Sequence, residues 1–421
     1  MTSSRHLKNM LKGTAAALCF WSGVAFASSA LVADAGISPE LIKRGEYLFH
    51  AADCAACHVA PEGGRLTGGR PFTLPFGTIF AVNITPDKQT GIGNYTDTEW
   101  LKMLREGVGK DGKHLYPVMP YTAYTLLNDA DALAIKAYLF SLQPEKAPAP
   151  PNKLSFPFNQ RWSMMFWNWL NNPNKRFQPD PAQSDAWNRG AYLTEALGHC
   201  SQCHTPRSIT YGLSSKAYAG AVQVGWRAYN LTSDKQHGLG AWTDEQVASY
   251  LSIGQAQGKG AASGPMAEAV EHGLRFMTPD DIAAMVTYLR SIPPIASGPV
   301  AQAMRPEPES ALSDVARRGQ GLFAQACSGC HLPNGQGRQS AWAALDGAHS
   351  VSDPAADNLV QVLRTGTTLE TGQDKVFMPG FSKTYTPEEL AAIASYVLSH
   401  FGSTHTDIKS SVFKNQAELL H

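Results

Sequence analysis

The pattern Cys-x-x-Cys-His occurs three times in this chain and constrains its fold more than any other feature. Six of the seven cysteines belong to it. The three copies are Cys54-Ala55-Ala56-Cys57-His58, Cys200-Ser201-Gln202-Cys203-His204 and Cys327-Ser328-Gly329-Cys330-His331. Two thiols at this spacing, followed directly by an imidazole, are typical of covalent haem c attachment. Both sulfurs bond to the haem and the histidine binds its iron, so the pattern predicts three haems c.

Three other uses of paired cysteines fit the sequence less well. A zinc site needs paired units that converge on one ion, whereas successive pairs here lie 146 and 127 residues apart. A thioredoxin-like redox pair needs a βαβ setting, of which the sequence gives no sign. Disulfide staples would not require a histidine after every pair. Haem attachment is the use that accounts for the whole pattern.

A methionine follows each copy at a distance that suits a second axial iron ligand. The predicted ligand pairs are His58 with Met119, His204 with Met266, and His331 with Met378. Met119 and Met378 each precede a proline, in a context that favours a loop, whereas Met277 and Met285 are predicted to fill the core. Histidine–methionine ligation fills both axial positions of the iron, which favours electron transfer over reaction with peroxide or oxygen.

Each haem pattern lies within a longer repeat. The repeats begin at Arg44-Gly45, Arg189-Gly190 and Arg318-Gly319. Apolar residues at helical spacing, with one tyrosine in each stretch, close the repeats at 133–142, 282–292 and 390–401. Signals for sheets are weak throughout. The sequence therefore predicts a mainly α fold with three class I-type cytochrome c domains in tandem, joined by Pro-rich linkers.

The repeats, the prolines and the termini set the predicted domain boundaries. The predicted segments are a signal peptide over residues 1–27, cytochrome c domains over 37–146, 182–295 and 311–402, linkers over 147–181 and 296–310, and a C-terminal tail over 403–421. Eight prolines between residues 144 and 181 favour a stiff connection. The first linker also carries an aromatic run over 162–170 with three tryptophans. Three roles are open for this run: packing on the chain's own domains, contact with a partner subunit, or contact with a membrane interface.

The amino terminus has the pattern of a secretory signal. Three basic residues between positions 5 and 12 precede a short apolar run that ends in Ala25-Phe26-Ala27. The seventh cysteine, Cys19, lies in this run, and we expect it to be removed with the signal. Lys+Arg and Asp+Glu both number 35, which excludes the basic footprint of a nucleic-acid-binding protein.

Shorter motifs surround the haem patterns. In the first repeat they are Asn83-Ile84-Thr85-Pro86-Asp87, Thr90-Gly91-Ile92-Gly93 and Leu115-Tyr116-Pro117. Those of the later repeats are Tyr229-Asn230-Leu231-Thr232, Gly238-Leu239-Gly240-Ala241-Trp242, Gly264-Pro265-Met266 and Asn334-Gly335-Gln336-Gly337. In this set, over roughly residues 40–402, the chain resembles the tri-haem cytochrome c subunits of bacterial membrane-bound periplasmic dehydrogenases. These include the alcohol, aldehyde, fructose/sorbitol and gluconate dehydrogenase types.

The resemblance implies an electron-transfer subunit, with the substrate chemistry on a partner. The implied partner is a catalytic dehydrogenase subunit, a flavoprotein or a quinoprotein, with room for a small third subunit. Ubiquinone is the implied acceptor, and peripheral attachment to the periplasmic side of the cytoplasmic membrane is the implied location. A multihaem peroxidase-like enzyme and a free periplasmic shuttle are the alternatives. A methionine candidate in every repeat argues against the peroxidase.

The resemblance also implies that the chain's tail contacts the membrane. In the tail after Phe401 the apolar residues approximate one face of a short surface helix. They are Ile408, Val412, Phe413, Leu419 and Leu420. The aromatic run over 162–170 is the second candidate for membrane contact, because tryptophan favours the membrane interface.

Overall fold

The computed structural model describes residues 37–300, 311–338, 340–372, 375–402 and 405–414. The described residues from Pro39 onward form one compact unit. The predicted signal peptide lies outside the described residues, as does most of the predicted second linker. Among the helices in these ranges, none has the length and apolarity needed to cross a membrane.

The described chain is mainly helical, as predicted. The helices of the first repeat and the segment after it are α1 (Pro39–Ala51), α2 (Cys54–His58), α3 (Asp97–Glu106), α4 (Tyr121–Tyr124), α5 (Asp129–Ser141) and α6 (Met164–Asn171). Those of the second repeat are α7 (Asp185–Tyr192), α8 (Ser201–His204), α9 (Asp244–Ile253), α10 (Pro265–His272) and α11 (Pro279–Ser291). Those of the third are α12 (Asp314–Ala326), α13 (Ser328–His331), α14 (His349–Ser352), α15 (Asp357–Thr365) and α16 (Pro387–His400).

Short antiparallel strands connect the helices. They are β1 (Pro71–Leu74), β2 (Gly77–Phe80), β3 (Lys153–Leu154), β4 (Ala221–Gln223), β5 (Trp226–Ala228), β6 (Gln255–Ala256), β7 (Gly260–Ala261), β8 (Gly366–Glu370) and β9 (Lys375–Pro379). In the described residues β1, β2 and β3 form one sheet, and the others pair as β4–β5, β6–β7 and β8–β9. Single 3₁₀ turns occur at Arg161–Ser163, Leu239–Ala241, Leu274–Phe276, Ala341–Ala343 and Ser410–Phe413, and a π-helical turn at Leu193–Leu197.

The first and last helices of every repeat cross at a glycine. The residues that meet are Gly45 with Ala134, Gly190 with Ala284, and Gly319 with Ala392. A methyl group on any of these glycines would lie 1.9–2.0 Å from the carbonyl oxygen of the facing alanine, far inside contact distance. The glycine of each Arg-Gly pair is therefore required because the two helices approach so closely there.

We expect Gly319→Ala to destabilise the protein by roughly 1–3 kcal/mol, because the added methyl group forces α12 away from α16. Gly321 is the matched control, since it lies in the same helix with no atom within 4 Å of an added methyl group. Gly321→Ala should stabilise by about 0.5–1 kcal/mol, because alanine is the better helix former. Urea unfolding of the haem-loaded protein, followed by circular dichroism, measures both. Equal effects of the two substitutions would contradict this packing.

The first two repeats are joined by a reciprocal pair of hydrogen bonds. Tyr47 of the first repeat donates to Asp281 Oδ2 at 2.5 Å, and Tyr192 of the second donates to Asp131 Oδ2 at 2.8 Å. The two tyrosines occupy equivalent positions after the Arg-Gly pairs, where the third repeat has Gly321. The first two repeats thus form a locally twofold pair in which the third takes no part.

The buried apolar side chains also separate the first two repeats from the third. Those of the first two repeats form one continuous cluster, to which the third repeat contributes Leu369. The third repeat otherwise has a cluster of its own, which includes Phe323, Tyr396 and Phe401. Three separate cores, one for each predicted domain, are not seen in the described residues.

The first two repeats share an Asn-x-Thr motif, at Asn83-Ile84-Thr85 and Asn230-Leu231-Thr232. Its asparagine holds the chain where the chain leaves each repeat. Asn83 Nδ2 donates to the carbonyl oxygen of Glu145 at 2.7 Å, and Asn230 Nδ2 donates to that of Ile295 at 2.7 Å. Both acceptors lie just beyond the last helix of their repeat. In the segment after the first repeat, β3 then pairs with β2. The predicted first linker is therefore largely folded against the first repeat.

The tail packs against the third repeat over its described residues, 405–414. The amide of Ile408 donates to Ser395 Oγ at 2.9 Å, and Phe413 lies in the third-repeat core with 4% of its surface exposed. The expectation of an apolar surface helix is wrong for these residues, because Ile408 and Phe413 face the protein. Leu419 and Leu420 lie outside the described residues.

Candidate haem-attachment sites

Each Cys-x-x-Cys-His pattern forms a short helix that ends at its histidine. The helices are α2, α8 and α13, and they end at His58, His204 and His331. All six cysteines of the patterns are free of disulfide bonds. In the described part of the chain, no group of histidine, cysteine and acidic side chains is arranged to hold a metal ion by itself.

The three histidines make the same hydrogen bond in all three repeats. His58 Nδ1 lies 2.7 Å from the carbonyl oxygen of Val82, His204 Nδ1 lies 2.6 Å from that of Tyr229, and His331 Nδ1 lies 2.7 Å from that of Ala343. A carbonyl oxygen can only accept, so Nδ1 carries the proton and Nε2 keeps its lone pair. This is the tautomer and orientation that an iron-binding histidine requires.

Burial gives these side chains the properties of haem-binding groups. Desolvation lowers the pKa of His58, His204 and His331, which favours the neutral imidazole that binds metals. Desolvation also raises the pKa of the first thiol of every pattern: that of Cys54, that of Cys200 to about 12 and that of Cys327 to about 11. In a redox-active pair the first cysteine shows the opposite shift, because its thiolate must be stabilised. The surroundings of the cysteines therefore disfavour the thioredoxin-like alternative.

The three methionines occupy different local structures. Met119 precedes α4, Met266 is the second residue of α10, and Met378 lies on β9 opposite Thr367 of β8. All three are partly buried against the apolar clusters. Met285 is completely buried in the core, as predicted, and Met277 is partly buried. The loop expected around Met378 is instead a strand.

In the first repeat, one tyrosine connects the methionine segment to the attachment helix. Tyr124, in α4 just after Met119, donates its hydroxyl hydrogen to the carbonyl oxygen of Ala52 at 2.6 Å. The same hydroxyl interacts with the Cys54 thiol. In the second repeat α10, which carries Met266, packs against α2 of the first. The candidate sites of the first two repeats are thus built beside each other.

Sequence reasoning left two partly buried residues out of the candidate sites. Asp53 and His199 come directly before the first cysteine of their patterns, and both have left-handed backbone conformations, with φ of 51° and 39°. Desolvation raises the pKa of Asp53 well above its usual value and lowers that of His199 to about 4. His199 lies in a loop and is partly buried. Asp and His are enriched at positive φ, and this preference was the sequence signal that could have pointed to both residues.

His349, the first residue of α14, is partly buried against the second repeat. Its ring lies 4.7 Å from that of Tyr229 and 6.3 Å from that of Trp242, measured between centroids. His349 belongs to the third repeat and both aromatic residues to the second. Since the carbonyl of Tyr229 holds His204, this contact joins the second haem-attachment site to the third repeat.

Comparison with known proteins gives consistent matches. The cytochrome c family model matches residues 42–143 and 316–401. The chain is 38% identical to the fructose dehydrogenase cytochrome subunit of Gluconobacter japonicus, over 89% of this chain and 82% of that protein. It is 34% identical to the gluconate 2-dehydrogenase cytochrome c subunit of Pantoea cypripedii, over 89% of each. A third relative, 33% identical over 86% of this chain and 79% of the other, is the cytochrome c subunit of the quinone alcohol dehydrogenase of Gluconobacter oxydans (strain 621H).

Proposed function

Because the chain belongs to the family of dehydrogenase cytochrome c subunits, we propose that it relays electrons through three haems c. The donor is a catalytic dehydrogenase subunit, a flavoprotein or a quinoprotein, and the acceptor is ubiquinone. The chain acts on the periplasmic side of the cytoplasmic membrane, peripherally attached, after removal of residues 1–27.

The repeated histidine geometry is the observation that carries this proposal. In each repeat a pair of free thiols adjoins a histidine whose Nδ1–H is held by a backbone carbonyl. Bound haem c supplies an iron that accepts and releases one electron. The thiols would hold it covalently, and they are Cys54, Cys57, Cys200, Cys203, Cys327 and Cys330. The carbonyls of Val82, Tyr229 and Ala343 would hold the three imidazoles as iron ligands through their Nδ1–H groups.

The distal side of each haem is assigned to a methionine. We assign Met119, Met266 and Met378 to this role because each lies partly buried at the surface of an apolar cluster. An apolar, water-poor setting keeps a thioether bound and raises the reduction potential. No repeat then offers an open iron position, which is what separates an electron carrier from a peroxidase.

Met266 provides the sharpest test, because Met277 lies on the same apolar cluster. We expect Met266→Ala to keep all three haems and to lose about one third of the methionine–iron charge-transfer absorbance. It should also lower the potential of one haem in a spectroelectrochemical titration. Met277→Ala is the matched control and should change neither. An unchanged spectrum in Met266→Ala, with a loss in Met277→Ala or His272→Ala, would reassign the ligand.

A further inference from the structure

The helix α6 is amphipathic, but its polar side faces the protein. Asn168 accepts a hydrogen bond from the Tyr121 hydroxyl at 2.6 Å and donates to the carbonyl oxygen of Glu106 at 2.8 Å. Asn172, one turn further, donates to the carbonyl oxygen of Arg105 at 2.8 Å. These bonds fix the rotation of the helix, so its apolar side is turned away from the first repeat.

The outward side of α6 and the segments around it expose an apolar surface, which we call the aromatic face. It consists of Phe156, Phe158, Trp162, Met165, Phe166, Trp169, Leu170, Ile209 and Tyr211, all of them exposed. Trp169 is 82% exposed and Ile209 99%. Monomeric soluble proteins rarely expose so many large apolar side chains together, so a surface of this kind marks an interaction site.

Contacts with partly buried residues hold the segments of the aromatic face together. Trp167 Nε1 donates to the carbonyl oxygen of Thr210 at 2.8 Å, which ties the loop of Ile209 to α6. The ring of Phe76 stacks on that of Phe158 at 4.4 Å and meets that of Tyr211 edge-on at 6.4 Å. The exposed side chains therefore belong to one ordered surface built from three separate segments.

The segment that supplies most of this surface is rich in basic residues. Residues 146–179 contain five basic residues and no acidic residue, although the whole chain has equal numbers of each. The five are Lys146, Lys153, Arg161, Lys175 and Arg176. Tryptophan-rich apolar faces flanked by cations suit an anionic phospholipid surface, where the rings sit among the headgroups and the cations pair with phosphates.

We propose that the aromatic face is the surface through which this chain lies on the membrane, with an anionic phospholipid bilayer as its occupant. This deepens the proposed function, on which it rests, by identifying the element that provides peripheral attachment. The described tail offers no comparable surface, because Ile408 and Phe413 face the third-repeat core and Val412 is its one exposed large apolar side chain. The face also adjoins the Met119 segment, since the Tyr116 hydroxyl donates to the carbonyl oxygen of Phe158 at 2.9 Å.

Vesicle flotation of the full-length, haem-loaded chain tests this inference. The vesicles contain phosphatidylcholine alone or phosphatidylcholine with phosphatidylglycerol. We expect Trp162→Glu and Trp169→Glu each to weaken binding on the order of tenfold. Val222→Glu is the matched control, because Val222 is an exposed apolar residue of β4 outside the face, and it should bind as the unmodified chain does. Lys175→Gln should weaken binding about fivefold, and only to the anionic vesicles.

Haem absorbance in the same fractions separates this inference from the proposed function. Haem-free chain would contradict the electron-transfer proposal, whatever the vesicles show. Haem-loaded Trp162→Glu and Trp169→Glu that float as the control does would overturn the membrane assignment alone. Variants that float normally but no longer co-purify with the catalytic subunit would overturn it in favour of a protein interface.

Discussion

Replacing Cys200 and Cys203 with alanine is expected to leave two haems on the chain and to stop ubiquinone reduction by the assembled complex. The haem absorbance should fall to about two-thirds, because both thioether bonds of the second site are lost. The second repeat contacts the first through Tyr192 and Asp131 and the third through Arg227. Its haem would therefore be the intermediate site of the relay. Pyridine haemochrome spectra and quinone reductase assays measure the two effects.

The control for this experiment is Cys19→Ala, which changes the cysteine of the predicted signal peptide. It should keep three haems and full quinone reduction, because residues 1–27 are expected to be absent from the mature chain. Three haems in the Cys200→Ala/Cys203→Ala variant would contradict covalent attachment at the second site. Unchanged quinone reduction by a two-haem chain would contradict the intermediate position of the second repeat.

Arg227→Met is expected to cost roughly 2–4 kcal/mol of folding stability and to loosen the third repeat from the second. Arg227 Nε lies 2.9 Å from Asp353 Oδ2, and the Asp353 side chain is 1% exposed. A second ion pair joins Arg227 to Asp357 at 2.6 Å. Methionine keeps the apolar stem but leaves the Asp353 carboxylate buried without its cation. The expected loss of folding stability does not exceed that for breaking a fully buried ion pair, because Arg227 itself is partly exposed.

Two further variants isolate the ion pair. The double variant Arg227→Met/Asp353→Asn should recover part of the lost stability, because it removes the uncompensated charge. Arg317→Met is the surface control, since its partner Asp314 is 95% exposed, and it should cost less than about 1 kcal/mol. Denaturant unfolding of the haem-loaded chain measures all three variants. Equal losses for Arg227→Met and Arg317→Met would mean that the buried pair does not hold the third repeat.

Local sequence patterns predicted the elements that depend on neighbouring residues. Helical periodicity predicted α5, α11 and α16, and the Cys-x-x-Cys-His spacing identified the cysteines and the histidine of each candidate haem site. Because the same pattern occurs three times, the same local geometry is expected at each copy. The tyrosines that close each repeat were also visible in the sequence. Their contact with a helix-crossing glycine was not, because it joins residues that are 77 to 98 positions apart.

Long-range contacts could not be predicted from the same patterns. Tyr47 and Asp281 are 234 positions apart, and only the folded chain shows that they pair across the first two repeats. The sequence carried one sign that only the first two repeats pair in this way: at the position of Tyr47 and Tyr192, the third repeat has Gly321. Proline content suggested a stiff linker after the first repeat, but the asparagines of α6 provide specific hydrogen bonds that fold this segment onto it.

A count of haems and electrons on the unmodified chain tests the three-haem relay most directly. Intact mass spectrometry of the purified protein should show a polypeptide beginning after residue 27 with three haems covalently attached. Reductive titration of the same sample should take up three electrons, and the catalytic subunit with its substrate should deliver them to ubiquinone. Fewer than three haems, or a fully reduced chain that ubiquinone does not reoxidise in the complex, would contradict the account.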